Sequence, residues 1–150
     1  MVILAARLYF SHLRRWDIIM NNKAIIAETK SIDGAYLRLM LEKQGWQADV
    51  VDNSDEVISR LEATDYQLVL INRNLLGSDG LETTRKIRAW EKRKGKKVNI
   101  IGIASYTIEE ERKKLLHAGA DYCIAKPIYK KSLAEALENL SANGQVLSVA

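Results

Sequence analysis

The sequence holds one cysteine, Cys123, and one proline, Pro127, among 150 residues. A lone thiol cannot close an intrachain disulfide or build a Cys-based zinc site, and two histidines, His12 and His117, are too few for a multi-histidine metal centre. Cysteine poverty fits a reducing compartment, so a cytoplasmic location is expected. The solitary proline excludes Pro-rich linkers and repeat arrays. No uninterrupted apolar run reaches the ~18 residues of a membrane span. Against these absences, 47% of the residues are apolar and 28% charged, a balance that builds a core and excludes extended disorder. The length accommodates one domain of about 100–150 residues with short appendages.

The formal charge of +4 is unevenly spread. Residues 85–97 (RKIRAWEKRKGKK) carry eight basic residues against the single acid Glu91, a local +7 that leaves the rest of the chain slightly acidic. A basic helix end is favourable against the helix dipole, and a docking patch for an acidic partner is the sharper alternative. With little aromatic interleaving beyond Trp90 and no nucleic-acid motif, nucleic-acid binding is not expected. The first residues, MVILAARLYFSHLRRWDIIM, place the apolar part before Arg14 and Arg15, the reverse of a secretory signal. Residues 3–16 read as an amphipathic helix with Ile3, Leu4, Leu8, Phe10, Leu13 and Trp16 on its apolar side and Arg7, His12, Arg14 and Arg15 on its polar side. Packing on its own domain, contact with a second copy or a kinase, and membrane-surface binding all remain open for it.

From Lys23 the pattern becomes regular. Short apolar strands are read at 24–27, 48–51, 66–72, 98–104 and 121–125. Helices are read at 31–45 with Ile32, Tyr36, Leu39 and Met40 at helical spacing, from Asn53 or Ser54 to Leu61, and at about 81–92, 107–118 and 131–140. Five alternating β-α units with continuous apolar strands require a parallel sheet covered on both faces by right-handed crossovers. The expected fold is a doubly wound α/β sandwich over residues 23–140, with a helical extension at 1–22 and a tail at 141–150.

In such sheets ligands bind beyond the carboxyl ends of the strands, where the strand order reverses. The residues there are Glu28 and Thr29, Asn72, Ala104 and Ser105, and Lys126 with Pro127. The segment IIAETKSIDG has neither G-x-G-x-x-G nor a G-K-[ST] ending, so nucleotide binding is not expected. A G-x-S-x-G elbow is absent too, and His12 and His117 lie far from these tips, which leaves no Ser/His/acid set.

At these residues the chain resembles the receiver domains of response regulators, particularly those attached to hybrid histidine kinases. The resemblance is carried by KAIIAE, LEKQGW, YQLVLIN followed by SDGLETTRKIR, NIIGIA and HAGADYCIAKPI. It implies a flavodoxin-like sheet in the order 2-1-3-4-5. It also implies a site in which two acids after the first strand and an Asp ending the third hold Mg²⁺. In that family the Asp accepts a phosphoryl group from a phosphohistidine, a Thr or Ser ending the fourth strand follows the phosphate, and a Lys before a commonly cis proline contacts it.

Mapped onto this sequence, Glu28, Lys126, Pro127 and the loop residues Asp79 and Gly80 match the family. Thr29 stands at the second acid, Asn72 at the phosphoacceptor, Ala104 at the switch hydroxyl and Cys123 at the switch aromatic. A neutral amide is a poor nucleophile where phosphoryl transfer needs an anion. With Glu28 as the one remaining acid, Mg²⁺ binding is expected to be weak or absent and the electrostatic clamp lost. The expectation is a non-enzymatic pseudo-receiver in two-component signalling, part of or partner to a histidine kinase. It would contact a kinase, a phosphotransfer protein, another receiver or a second copy of itself through the fourth helix, fifth strand and fifth helix. The alternative is a phosphoacceptor that uses Asp79 or Ser105. Lys126 is expected to pair with Glu28 or bond to Asn72. The plainer alternatives are a solvated Glu28, an Asn72 that caps local backbone, and turn chemistry at Asp79-Gly80. Cys123 is read as a small core residue rather than a redox sensor.

Overall fold

The computed structural model describes residues 22–75, 77–105 and 109–142. The extension read at 3–16 and the tail from residue 143 lie outside the described residues. Five strands, β1 (Lys23–Ala27), β2 (Gln47–Val51), β3 (Leu68–Asn72), β4 (Asn99–Ala104) and β5 (Tyr122–Ala125), form one parallel sheet in the order 2-1-3-4-5. Five helices connect or follow them: α1 (Ser31–Lys43), α2 (Ser54–Ala63), α3 (Gly80–Lys94), α4 (Glu109–Ala118) and α5 (Lys130–Ala142). The chain thus has the doubly wound fold that its alternating pattern predicts.

The central strands explain why the sheet must be covered twice. Every residue of β3 and β4 is buried, so side chains pointing to either face need an apolar partner. On one face Leu37 and Leu41 of α1 and Leu133 and Leu137 of α5 pack over Ile26, Leu70 and Ile101. On the other, Val57 of α2, Ile87 and Trp90 of α3 and Leu115 of α4 close over Ile25, Ile71 and Ile100. Gly102 opens a notch in β4: a Cβ there would meet the Leu115 side chain at 3.1–3.3 Å, so the missing side chain lets α4 sit close to the sheet.

Helix ends follow local chemistry. Asn53 caps α2 by accepting the Glu56 amide at 2.9 Å, and Asp79 caps α3 by accepting the Leu81 amide at 2.8 Å. The loop before α3 contains a two-residue antiparallel ribbon, Asn74–Leu75 with Ser78–Asp79, where the sequence pattern suggests only a turn. Part of the basic run is consumed internally. Arg88 donates to Glu91, to the carbonyls of Val98 and Gly119, and to Asp121, riveting α3 to the entries of β4 and β5.

The apolar face of α1 requires a correction. The side that packs on the sheet is Gly34, Leu37, Met40 and Leu41, whereas Ile32, Tyr36 and Leu39 are exposed at 82%, 45% and 51%. Two apolar stripes run along this helix, and the periodicity of the sequence fits both. Leu37→Ala should therefore lower stability by about 2–5 kcal/mol and Leu39→Ala by less than about 1 kcal/mol. Urea midpoints of the two variants measure the contrast.

Candidate functional site

The register brings the tips of four strands into one line. Ala27 pairs with Ile71, Asn72 with Ile103, and Ala104 with Ala125, so Glu28, Asn72, Ala104 and Lys126 end neighbouring strands at one edge. The ladder runs on past the strand ends: the Glu28 amide donates to Val51 O, Arg73 to Ile103 O and Lys126 to Ala104 O, each at 2.9 Å. The side chains that follow are therefore held on fixed backbone.

Glu28 is 2% exposed, so it is not the solvated carboxylate of the plainer reading. Asn72, also buried, turns its amide nitrogen to both Glu28 oxygens at 2.7 Å, while its Oδ1 accepts the Asn74 amide at 3.0 Å. The reverse amide orientation would set oxygen against oxygen at the shorter distance, so the hydrogen-bond network fixes this one. Asn72 thus caps local backbone and satisfies a buried acid with the same side chain.

Lys126 supplies the compensating charge. Its ammonium lies 3.2 Å from Glu28 Oε2 and 2.8 Å from Asp33 Oδ2. Burial alone would lower the lysine pKa, but the Asp33 hydrogen bond and the nearby Glu28 charge outweigh it and hold Lys126 above its ordinary value. Asp33 is the member that sequence reasoning missed. It sits in the first turn of α1, where an acid is favoured by the helix dipole, and it begins the helix that follows β1 at this edge. That placement was the available signal. With Asp33 counted, Glu28 is not the cluster's only acid, and the three ionised groups sum to −1 rather than zero.

The other positions fall around this cluster. Thr29 is exposed, Ala104 is buried, and the Lys126–Pro127 peptide is cis. Asp79 pairs with Arg73 while capping α3, so its carboxylate is engaged in turn and helix-start chemistry. Gly80 is tight against the site: a Cβ would stand 2.3 Å from the Asn72 carbonyl oxygen. The Ser105 hydroxyl accepts from Asn74 Nδ2 at 3.2 Å, and its amide donates to Glu111 at 3.1 Å. Glu111 also faces Arg73, which links the loop after β3 to α4, a tie that no motif or spacing marks. Cys123 is half-buried against the core, and burial pushes its thiol up to about 11, so at neutral pH it is a protonated thiol. Among the described residues no three His, Cys, Asp or Glu side chains gather as a metal-binding group. No helix among them is long and apolar enough to cross a membrane.

The ion pair has a stability signature. Lys126→Met strands the buried Glu28 carboxylate and should cost roughly 3 kcal/mol, whereas adding Glu28→Gln should recover most of that loss. The folded-state pKa of Lys126 is raised, so its contribution is full below the ordinary lysine value of 10.5 and fades as pH climbs through the raised value. The stability difference between wild type and Lys126→Met should therefore stay level from neutral pH to about 10 and shrink above it. Urea titrations across that range measure it.

Comparison with known proteins bears on the family and the fold. The family model described as response regulator receiver domain matches residues 24–138. The chain is 30% identical over 122 residues to the autoinducer 2 sensor kinase/phosphatase LuxQ of Vibrio cholerae, covering 78% of this chain and 13% of that protein. It is 29% identical over 100 residues to the sensor histidine kinase GacS of Pseudomonas protegens, covering 66% and 11%. The chain thus spans little more than a tenth of these relatives. Among solved structures, the receiver domain of Ssk1 from Saccharomyces cerevisiae, in a co-crystal with the histidine phosphotransfer protein Ypd1, superposes with a TM-score of 0.75 at 19% identity over 85% of this chain and 93% of that one. A CheY-like receiver domain from Methylobacillus flagellatus gives 0.70 at 23% identity over 79% and 98%. With a family match across most of its length, on the sheet order and strand-tip geometry described above, the chain belongs to the response regulator receiver domain family.

Proposed function

We propose that this receiver domain works without being phosphorylated, as a pseudo-receiver that regulates a two-component pathway by protein contact. The observation that carries the reading is the closed cluster at the strand tips. At position 72 an amide donates to Glu28 instead of presenting an anionic oxygen to a phosphoryl group. The residues present do not fit a divalent ion either. Both Glu28 oxygens accept from Asn72, one of them also faces Lys126, and that same ammonium is bonded to Asp33. A hard cation would have to displace the lysine from its two acids and find further oxygen ligands without Thr29 or Asn72 offering a charge. Ala104 and Cys123 offer neither the hydroxyl nor the aromatic ring that report phosphate in relatives of this fold.

The function that remains is docking, with no catalysis of its own. A histidine kinase is one partner class, supported by the kinases among the curated relatives, and this domain is part of such a kinase or binds to one. A phosphotransfer protein is another, supported by the Ssk1 receiver and its partner Ypd1; another receiver completes the set. The contact face is α4, β5 and α5, where the edge strand β5 and the exposed Tyr129 lie beside Lys126 and Pro127 in one shallow depression. Asp79 and Ser105 are not acceptors in this reading, since Asp79 is tied to Arg73 and to the α3 amide and Ser105 to Asn74.

Intact-mass measurement after incubation with Mg²⁺ and a small acyl phosphate should show no addition of about 80 Da to the wild type. The Thr29→Asp, Asn72→Asp variant should gain Mg²⁺ affinity and a hydroxylamine-labile adduct. A stoichiometric adduct on the wild-type chain would overturn the reading.

A further inference from the structure

The basic run at 85–97 takes no part in the strand-tip cluster, and the structure divides its cations into two groups. Arg88 is spent on Glu91 and Asp121, Lys96 on Asp65 and Lys86 on Glu82. Among the described residues no acid lies within ion-pair distance of Arg85, Lys92, Lys94 or Lys97. The two flanks of α3 also differ. Towards α2, a groove of about 420 Å³ sets Lys86 and Arg93 against Asp55 and Glu62, so that positive and negative groups match one for one. Towards α4, a groove of about 690 Å³ brings Arg85 together with Lys113 and Lys114, and its one acid, Glu110, is already bridged to Lys114 at 3.2 Å. Leu116 and His117 complete this lining, and Leu116, partly buried against the core, adds an apolar patch between the cations.

Cations gathered along one groove repel one another. The core beneath does not call for them: Ile87 and Trp90 of α3 and Leu115 of α4 are buried there, and Arg88, the basic residue that fixes α3 in place, is neutralised. We propose that the α3–α4 groove is a docking site for an acidic segment of a partner protein, a stretch of Asp or Glu carrying an apolar side chain that seats on Leu116. Charge complementarity sets the sign of the partner, and recognition of acidic motifs by basic clusters is a common mode of peptide binding.

The extent of the charge favours a chain over a small anion. Lys92 continues the Arg85 side of α3 at i+7, about 10 Å further along the helix, and Lys94 and Lys97 lie beyond it, so the positive footprint outruns the groove. The surface chemistry favours protein over other polyanions. Bases need an exposed aromatic platform, and Trp90 is only 3% exposed. The large exposed apolar residues among those described, Ile32, Tyr36, Leu39 and Tyr129, stand on α1 and just before α5, which leaves this face without an anchor for a bilayer. The groove lies on the α3 side of α4, outside the α4–β5–α5 face, and the inference is independent of whether position 72 accepts phosphate.

Fluorescence anisotropy of the full chain with a labelled Glu-rich peptide bearing one central Leu tests it. The peptide should bind, lose affinity as salt rises, and stop binding when its Glu residues are replaced by Gln. Arg85→Glu with Lys113→Glu, both exposed positions, should weaken binding at least tenfold, about the effect of breaking two close charge pairs. Lys86→Glu with Arg93→Glu alters the net charge equally on the balanced flank. At physiological salt, where screening confines the effect to nearby charges, it should weaken binding by less than about threefold. Far-UV circular dichroism should match the wild type for both variants, as expected for changes at exposed positions. No binding of the peptide, or equal losses in the two variants, would overturn the proposal. Tighter binding of a single-stranded oligonucleotide or of anionic lipid vesicles than of the peptide would overturn it in favour of nucleic acid or a membrane surface.

Discussion

A carboxylate shut away from water must find a counter-charge and enough hydrogen-bond donors, and at the tip of β1 the Glu28 carboxylate sets that demand. Its neighbours are arranged to answer it. Asn72 brings the donors from β3, Lys126 brings the charge from β5, and Asp33 holds the far side of the ammonium from α1. Three elements that share no sequence neighbourhood are drawn to one point by a single ionised group. The cluster closes with its polar atoms satisfied, which is the condition under which a buried network rigidifies rather than weakens a fold.

The same cluster separates scaffold from reactivity. Receiver domains need a parallel sheet to line up strand ends, and this chain keeps that sheet, together with the glycine at 80 that lets α3 approach the Asn72 carbonyl. Of the positions that depart from the family pattern, Thr29 and Asn72 stand at strand tips, whereas Ala104 and Cys123 pack with the core. At position 72 the amide supplies donors to both Glu28 oxygens, so the buried acid is answered from a neighbouring strand.

How far the sequence disclosed this depends on whether a pattern or a shared strand edge marks the residues involved. Strands such as LVLIN and NIIGIA are continuous apolar runs, and a run buried on both faces is legible without any partner in view. The pairing of Lys126 with Glu28 was legible too, because both immediately follow strands in a fold whose order could be inferred. Asp33 was not, since its role depends on which side of α1 turns inward. That same choice defeated the reading of Ile32, Tyr36 and Leu39: Tyr36 and Leu39 have the spacing of a core face as fully as Leu37 and Leu41 do. Periodicity gives the phase of a stripe and leaves its direction to the packing. The links from Arg73 to Asp79 and Glu111 are shorter in range than the Lys126 pairs, yet no spacing rule encodes them.

The notch at Gly102 bears on how α4 is held against the sheet. Leu115 sits in the space where a side chain would stand, so α4 is keyed to the sheet as a peg is keyed to its socket. Sliding α4 along the strands would require lifting Leu115 out against close-packed neighbours, a step that shape resists whatever the ionic conditions. Together with the Glu111 tie to the Ser105 amide, this anchors α4 to β4 at two points, one by shape and one by hydrogen bonding.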